Sequence, residues 1–197
     1  MNQVAKMILQ VMAVAAGTAY FLSTFYLVVS APEDKFLRGN HDDPALCRAH
    51  ANYLGDYGYL PDDDLFFVSG AQTASWRVLG NSKYWYADEE MSDSALNDAI
   101  AIYKETRPKF VISHTAPSEA AKEILKDLNG SYFFNKHGDM ESRTSKALQE
   151  MFEAHQPSAW CFGHFHINKE FLIRETQFRC LAEMAAFDVV SCDSSVI

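Results

Sequence analysis

The stretch "KFVISH" at residues 109–114 decides the fold class, because an apolar run after Pro108 ends in a histidine. The same order returns at residues 159–166, where "AWCFGHFH" comes shortly after Pro157 and contains two histidines. A segment with helical spacing precedes each proline, so the chain twice has the order helix, strand, histidine. This alternation predicts an α/β protein whose functional side chains collect beyond the carboxyl ends of strands.

The remaining elements follow from periodicity and from capping signals. Apolar spacing and capping residues predict three amphipathic helices, which lie at residues 92–106, 118–128 and 144–156. Apolar runs bounded by turn residues predict further strands at 34–39 ("DKFLRG") and 65–72, with 76–80 as a candidate hairpin partner of the latter. A hairpin of two strands is expected over 169–184.

Length and composition favour one globular domain that spans residues 1–197. Hydrophobic residues make up 48% of the chain, which is enough to form a core. The net charge of −9 argues against nonspecific nucleic-acid binding, which requires a basic face. A phosphate-bearing substrate remains compatible with it, because a bound metal supplies positive charge locally.

The cysteines indicate the cellular compartment in which the protein is expected. Cys47, Cys161, Cys180 and Cys192 form no CxxC pair and no dense framework. Free, partly buried thiols are typical of a reducing compartment, so the chain is expected in the cytoplasm.

The N-terminal segment 1–33 is atypical. Residues 7–32 carry no charge and are about long enough to cross a bilayer, and their end also resembles a signal peptide. The alternative is a buried helix followed by a buried strand, interrupted at Gly17. The second interpretation is preferred, since Gln10 and the segment's hydroxyl residues make a poor membrane span. A membrane anchor through residues 7–32 stays open as the alternative.

Polar residues of metal-binding type follow three of the predicted strands. Asn40 and His41 follow the first, His114 ends another, and His164 and His166 end a third. If the last strand continues through both of its histidines, their side chains point to one face. Imidazole and carboxamide oxygen are ligands for Zn, Mn, Fe or Ni. The alternative for His164 and His166 is a pair of surface residues at a hairpin end.

These residues resemble those of a known family. Gly39-Asn40-His41-Asp42, Ser113-His114 and Gly163-His164-Phe165-His166 match, in order, the last three motifs of calcineurin-like metallophosphoesterases. The resemblance runs from about Asp34 to Asp188 and looks most like small phage-encoded members. It implies a four-layer α/β/β/α sandwich, here incomplete or altered at the N-terminus, and a hydrolase acting on phosphate mono- or diesters.

The resemblance also implies roles for individual residues. Asn40, His114 and His164 would bind one metal ion and His166 another. His41 would lie near the leaving-group oxygen as an acid or a phosphate stabiliser, and Asp42 would orient it. A phosphate ester is the implied substrate, in the host cytoplasm if the protein is phage-encoded.

Two family motifs are not found before residue 34. They are Asp-x-His and Gly-Asp-x-x-Asp, and no Asp, Glu or His occurs between Met1 and Pro32. A carboxylate that bridges two dications offsets their repulsion, which amounts to several kcal/mol even at an effective dielectric of about 20. We therefore expect at most one tightly bound divalent ion (Mn, Fe, Ni or Zn) and weakened hydrolysis.

Three interpretations stay open. The chain is either a weakened phosphoesterase or a degenerate relative that keeps the scaffold as a binding or interaction module. A third possibility is that the chain is an altered form of an active enzyme that has lost its N-terminal part. Metal content after purification discriminates between the first two.

Overall fold

The computed structural model describes residues 35–73, 86–127, 142–182 and 185. Six strands form one sheet, in the order β1-β2-β3-β4-β6-β5. The three pairings from β2 to β6 are parallel, and the two edge strands are antiparallel to their neighbours. The strands are β1 Tyr57–Leu60, β2 Leu65–Val68, β3 Phe110–Ser113, β4 Ala159–Phe162, β5 Lys169–Ile173 and β6 Thr176–Cys180.

In the described ranges, four helices connect or flank these strands, and local signals set their ends. The bounds are α1 Pro44–Ala49, α2 Asp93–Thr106, α3 Ser118–Asp127 and α4 Arg143–Ala154. The Ser92 side chain caps α2 by accepting from the N–H of Ala95, and Ser142 caps α4 by accepting from the N–H of Ser145. Arg107 ends α2 in a left-handed conformation directly before Pro108.

The central parallel strands are buried on both faces. On one face, side chains such as Phe66, Val111 and Trp160 join the larger apolar cluster with residues of α2, α3 and α4. On the other face, Ile112 and Cys161 belong to a second, smaller cluster. Parallel strands require a covering layer on each side, and these two clusters satisfy that requirement.

The predicted mixed α/β class is confirmed, and the sheet is consistent with the metallophosphoesterase fold. The three predicted helices and the strands at 65–72, 109–114, 159–166 and 169–184 all appear, mostly shorter than expected. The described residues contain one sheet, and the predicted segments 1–33 and 76–80 lie outside the described residues.

Two predictions about strands are wrong. Segment 34–39 was expected to be a buried strand, but its described part makes a single isolated bridge, between Phe36 and Tyr53. The strand of residues 159–166 ends at Phe162, so it does not continue through the two histidines, as a shared strand face for their side chains requires. His164 and His166 both have positive φ, 68° and 59°, which leaves the extended conformation. The sequence pattern also missed α1 and β1.

Within the described residues, we find no helix that is long and apolar enough to cross a membrane. Segment 7–32 lies outside that part of the chain.

Candidate functional site

The loop that carries Asn40 is fastened to the carboxyl end of β2. The backbone N–H of Gly70, just beyond β2, donates to the carbonyl of Arg38 over 2.9 Å. Next along the loop, Gly39 lies against the His114 ring, and a Cβ at position 39 would sit 2.7 Å from Cε1 of that ring. Glycine is therefore required here for the loop to approach the end of β3.

Asn40, His114 and His164 meet in direct contact. Nε2 of His114 lies 3.0 Å from Oδ1 of Asn40, and Nδ1 of His164 lies 3.3 Å from the same oxygen. The two imidazole rings pack edge to face, with centroids 5.2 Å apart. Three of the five residues expected to meet at one sheet edge are thus in contact, although they come from a loop and from the ends of two different strands.

Backbone contacts hold the two histidine-bearing strand ends together. The Gly163 N–H donates to the His114 carbonyl over 3.0 Å, and the Phe165 N–H donates back to the Gly163 carbonyl over 2.8 Å. The chain then turns through the two left-handed residues His164 and His166. Such conformations cost of order 1 kcal/mol or more for residues with a side chain, and they tend to occur at functional sites.

His41 and His166 lie beside this cluster and are exposed. Besides partial burial, the charge of His166 lowers the pKa of His41, so the two rings are close enough to interact. The contact of the Asp42 carboxylate differs from the predicted one. Its Oδ2 accepts the backbone N–H of Gly39 over 2.6 Å, and no hydrogen bond joins it to the His41 ring in the described part of the chain.

Burial keeps the central histidines neutral. It lowers the pKa of His114 well below the ordinary value, with the neighbouring His164 acting in the same direction. The His164 ring packs against His114 and Phe165, and burial followed by the charge of His166 lowers its pKa to about 3. Partial burial also lowers the pKa of His41, against the opposing effect of Asp42. Neutral imidazoles offer a lone pair to a metal ion without proton competition.

Burial has the opposite effect on the pKa of Asp42. It raises the pKa of this carboxyl above the usual range, although the hydrogen bond from Gly39 lowers it.

The separations among the donor atoms suit a metal ion. Donors bound to one ion at about 2.1 Å, with angles between octahedral and tetrahedral values, lie about 3.0–3.4 Å apart. The distances from Asn40 Oδ1 to His114 Nε2 and to His164 Nδ1, 3.0 and 3.3 Å, fall within this range. The third donor of this set of possible metal ligands is the carboxamide of Asn40, in place of a third imidazole or a carboxylate. No group of three His, Cys, Asp or Glu in the described ranges has a metal-binding arrangement.

The sequence pattern did not single out the side chains that support Asn40. Its Nδ2 donates to Oγ1 of Thr73 over 3.1 Å, and Thr73 is in turn held by the carboxylate of Glu89. All three residues are at most 5% exposed. Thr73 follows β2, one position beyond the predicted strand 65–72, where the sequence pattern assigned no function.

Arg38 and Asp56 form the second support that was missed. Arg38 is completely buried, and its Nε donates to Oδ1 of Asp56 over 2.8 Å. Asp56 also accepts from the Tyr53 hydroxyl and from Arg48. These donors, Arg38 foremost, hold the pKa of Asp56 below its usual value against the opposing effect of burial. Asp56 therefore fastens the loop that leads to Asn40.

Comparison with known proteins agrees with the geometry. A sequence model of the calcineurin-like phosphoesterase family matches residues 16–168, which is most of the chain and includes every candidate site residue. The chain belongs to the calcineurin-like phosphoesterases. No curated protein matches it.

Proposed function

We propose that the chain hydrolyses phosphate mono- or diesters with the help of a divalent metal ion. The observation that carries the proposal is the contact of Asn40 Oδ1 with ring nitrogens of His114 and His164, at distances that suit neighbouring ligands of one ion. Family membership supports metal-dependent phosphoester chemistry.

Each candidate residue has a proposed task. Asn40, His114 and His164 hold the ion, and His166 extends the donor set from the same turn. When bound, a divalent ion lowers the pKa of a water molecule and stabilises charge on phosphoryl oxygens. His41, exposed beside the cluster, donates a proton or a hydrogen bond to the leaving-group oxygen. Asp42 fixes the turn that carries His41 by accepting the N–H of Gly39.

The charges of these ligands predict a slow enzyme with at most one tightly held ion, of the Mn, Fe, Ni or Zn type. The proposed ligands are one carboxamide and three imidazoles, all neutral. Carboxylates add charge-assisted contacts and offset the repulsion between two dications. Segment 1–32 offers none, because it contains no Asp, Glu or His.

A binding module that has lost catalysis is the second candidate. It is favoured by one observation, the lack of a set of three His, Cys, Asp or Glu side chains arranged for metal binding in the described residues. The two candidates differ in metal content and in turnover.

The test measures both quantities on the full chain. Elemental analysis after purification, and bis-p-nitrophenyl phosphate hydrolysis with added Mn²⁺, should show about one ion per chain and a slow, metal-dependent rate. The variant His114→Ala should lose both, whereas the matched variant of exposed His50, His50→Ala, should lose neither. Metal-free protein without turnover would favour the binding module. Two tightly bound ions with fast turnover would refute the argument from neutral ligands.

We place the protein in the cytoplasm, and in a host cytoplasm if it is phage-encoded. Cys47, Cys161 and Cys180 are buried free thiols, as a reducing compartment favours.

A further inference from the structure

We propose that Glu89 and Thr73 are positioning residues that fix which end of the Asn40 carboxamide faces His114 and His164. The hydrogen-bond chain from Glu89 through Thr73 to Asn40 leaves one orientation for that amide. The inference rests on the proposed function only in taking the histidine side as the metal-binding side.

The chain of contacts is continuous and buried. Thr73 donates twice to Glu89, from its backbone N–H to Oε1 over 2.8 Å and from its hydroxyl to Oε2 over 2.6 Å. The same hydroxyl oxygen accepts from Nδ2 of Asn40 over 3.1 Å. Glu89, Thr73 and Asn40 are 4%, 2% and 5% exposed, so water does not compete for these groups.

The direction of the chain follows from what each group is able to donate. The proposal takes Glu89 as ionised. An ionised carboxylate only accepts hydrogen bonds, so the Thr73 hydroxyl then gives its single proton to Glu89. Its oxygen then offers only lone pairs to Asn40. The amide must therefore turn its NH₂ group to Thr73, and its oxygen points to the two histidines. With any other rotation of the amide, two acceptors would face each other in a buried site.

The same chain brings negative charge close to a ligand set that has none of its own. Hydrogen bonds in a buried series polarise one another, so the Glu89 carboxylate makes the Asn40 oxygen a stronger donor to a cation. Partners behind metal ligands typically change metal affinity by about 10–100-fold when they are replaced. Glu89 is thus expected to compensate in part for the carboxylates that the ligands lack.

The position of Glu89 is itself fixed. Nη1 of Arg38 donates to the Glu89 backbone carbonyl over 2.7 Å, so the buried arginine that begins the Asn40 loop also holds the segment of the carboxylate. Arg38 therefore connects both ends of this series of hydrogen bonds, the loop that carries Asn40 and the segment that carries Glu89.

The first test titrates the full chain with Mn²⁺ by calorimetry. Glu89→Gln and Thr73→Val should each weaken Mn²⁺ binding by about 10–100-fold. Thr73→Ser keeps the hydroxyl and should restore the affinity that Thr73→Val loses. The matched control is Glu90→Gln, which also replaces a buried glutamate but alters contacts with the N–H of Thr144 and with Arg143 instead of the contact with Thr73. An equal loss of affinity in Glu90→Gln would overturn the positioning role.

The second test needs no metal and separates this inference from the proposed function. In metal-free protein, hydrogen exchange of the Asn40 side-chain NH₂, followed by NMR, should be slow in the wild type and fast in Thr73→Val. Far-ultraviolet circular dichroism confirms that each variant is folded. Equal exchange rates would overturn the inference even if Mn²⁺ binds. Slow exchange in a wild type that binds none of Mn²⁺, Fe²⁺, Ni²⁺ and Zn²⁺ would refute the proposed function and leave the orientation of the amide established.

A double variant tests the direction of the chain. Asn40→Asp alone places a carboxylate oxygen against the Thr73 oxygen whose proton is committed to Glu89, so Mn²⁺ affinity should not rise. Adding Glu89→Gln supplies a donor to Thr73, which frees its proton for the new carboxylate at position 40. The double variant should therefore bind Mn²⁺ more tightly than either single variant. If the effects of the two substitutions on Mn²⁺ affinity are simply additive, the proposed direction of the hydrogen bonds is contradicted.

Discussion

Nε2 of His114 lies 3.0 Å from Oδ1 of Asn40, although 74 positions separate the two residues in the chain. The contact joins the carboxyl end of β3 to a loop that makes no regular strand pairing of its own. Its existence depends on the glycine that precedes Asn40, because that glycine lies directly against the His114 ring.

Replacement of this glycine should displace the ring. In Gly39→Ala the new Cβ would lie 2.7 Å from Cε1 and 2.9 Å from Nε2 of His114, so the ring must move away from Asn40. We expect weaker Mn²⁺ binding, together with a loss of about 1–3 kcal/mol in the free energy of unfolding from overpacking. Calorimetric titration and urea denaturation measure the two effects.

Gly58→Ala is the matched control for this variant. Its new Cβ would lie 2.7 Å from the Phe67 ring, an overlap of the same size in the core rather than at the site. It should lower stability to a similar degree and leave Mn²⁺ affinity unchanged. If both variants bind Mn²⁺ as the wild type does, the His114 contact has no part in metal binding.

Local signals made most of the fold predictable. A capping serine and a following proline bracket α2, and the predicted range 92–106 differs from the observed Asp93–Thr106 by one residue. The prediction of a strand over 34–39 failed because an apolar run does not indicate which partner strand is within reach. Its one bridge, from Phe36 to Tyr53, depends on how the whole loop folds back.

The possible metal ligands of the candidate site were predictable from the sequence, but the residues that position them were not. Asn40, His114 and His164 stand out because polar residues after strands are conspicuous in a sequence. Thr73 and Glu89 do not, since their contacts cross 33 and 16 positions and follow no period. The turn at His164 and His166 was missed for a related reason, because positive φ is uncommon for histidine and has no sequence signal here.

Removal of the buried arginine beside the site should be costly. Arg38 is fully buried and paired with Asp56, whereas Arg48, the other arginine on Asp56, is 43% exposed. Loss of one partner of a buried pair typically costs about 3–5 kcal/mol, and loss of an exposed partner about 0–1 kcal/mol. Arg38→Met should therefore lower the free energy of unfolding in urea far more than Arg48→Met. Similar losses in the two variants would show that the burial of Arg38 is unimportant.

Acid should destabilise the metal-free protein through His164. Its pKa is lowered from 6.5 to about 3 in the folded chain, so between these values the unfolded chain binds the additional proton. The free energy of unfolding should then fall as the pH drops below 6.5, by about 1.4 kcal/mol per pH unit from this one group. His164→Asn should remove that contribution, which urea denaturation between pH 7 and pH 5 in EDTA would detect. Parallel pH profiles for the two proteins would contradict the neutral state of His164 in the folded chain.

His41 should matter most for esters with poor leaving groups. An aryl oxide such as p-nitrophenolate departs without a proton, whereas an alkoxide needs one from a general acid, which contributes about 10²–10⁴-fold. His41→Ala should therefore reduce hydrolysis of an alkyl phosphate ester strongly and that of bis-p-nitrophenyl phosphate weakly, with Mn²⁺ affinity unchanged.

The role proposed for His41 also predicts how turnover changes with pH. Burial lowers the pKa of His41, so its acidic form is scarce at neutral pH and becomes more abundant in mild acid. The ratio of alkyl-ester to aryl-ester turnover in the wild type should rise as the pH falls from 8 to about 6, and this rise should disappear in His41→Ala. Parallel losses on both esters at every pH would instead assign His41 to hydrogen bonding with the phosphate, where leaving-group basicity has no influence.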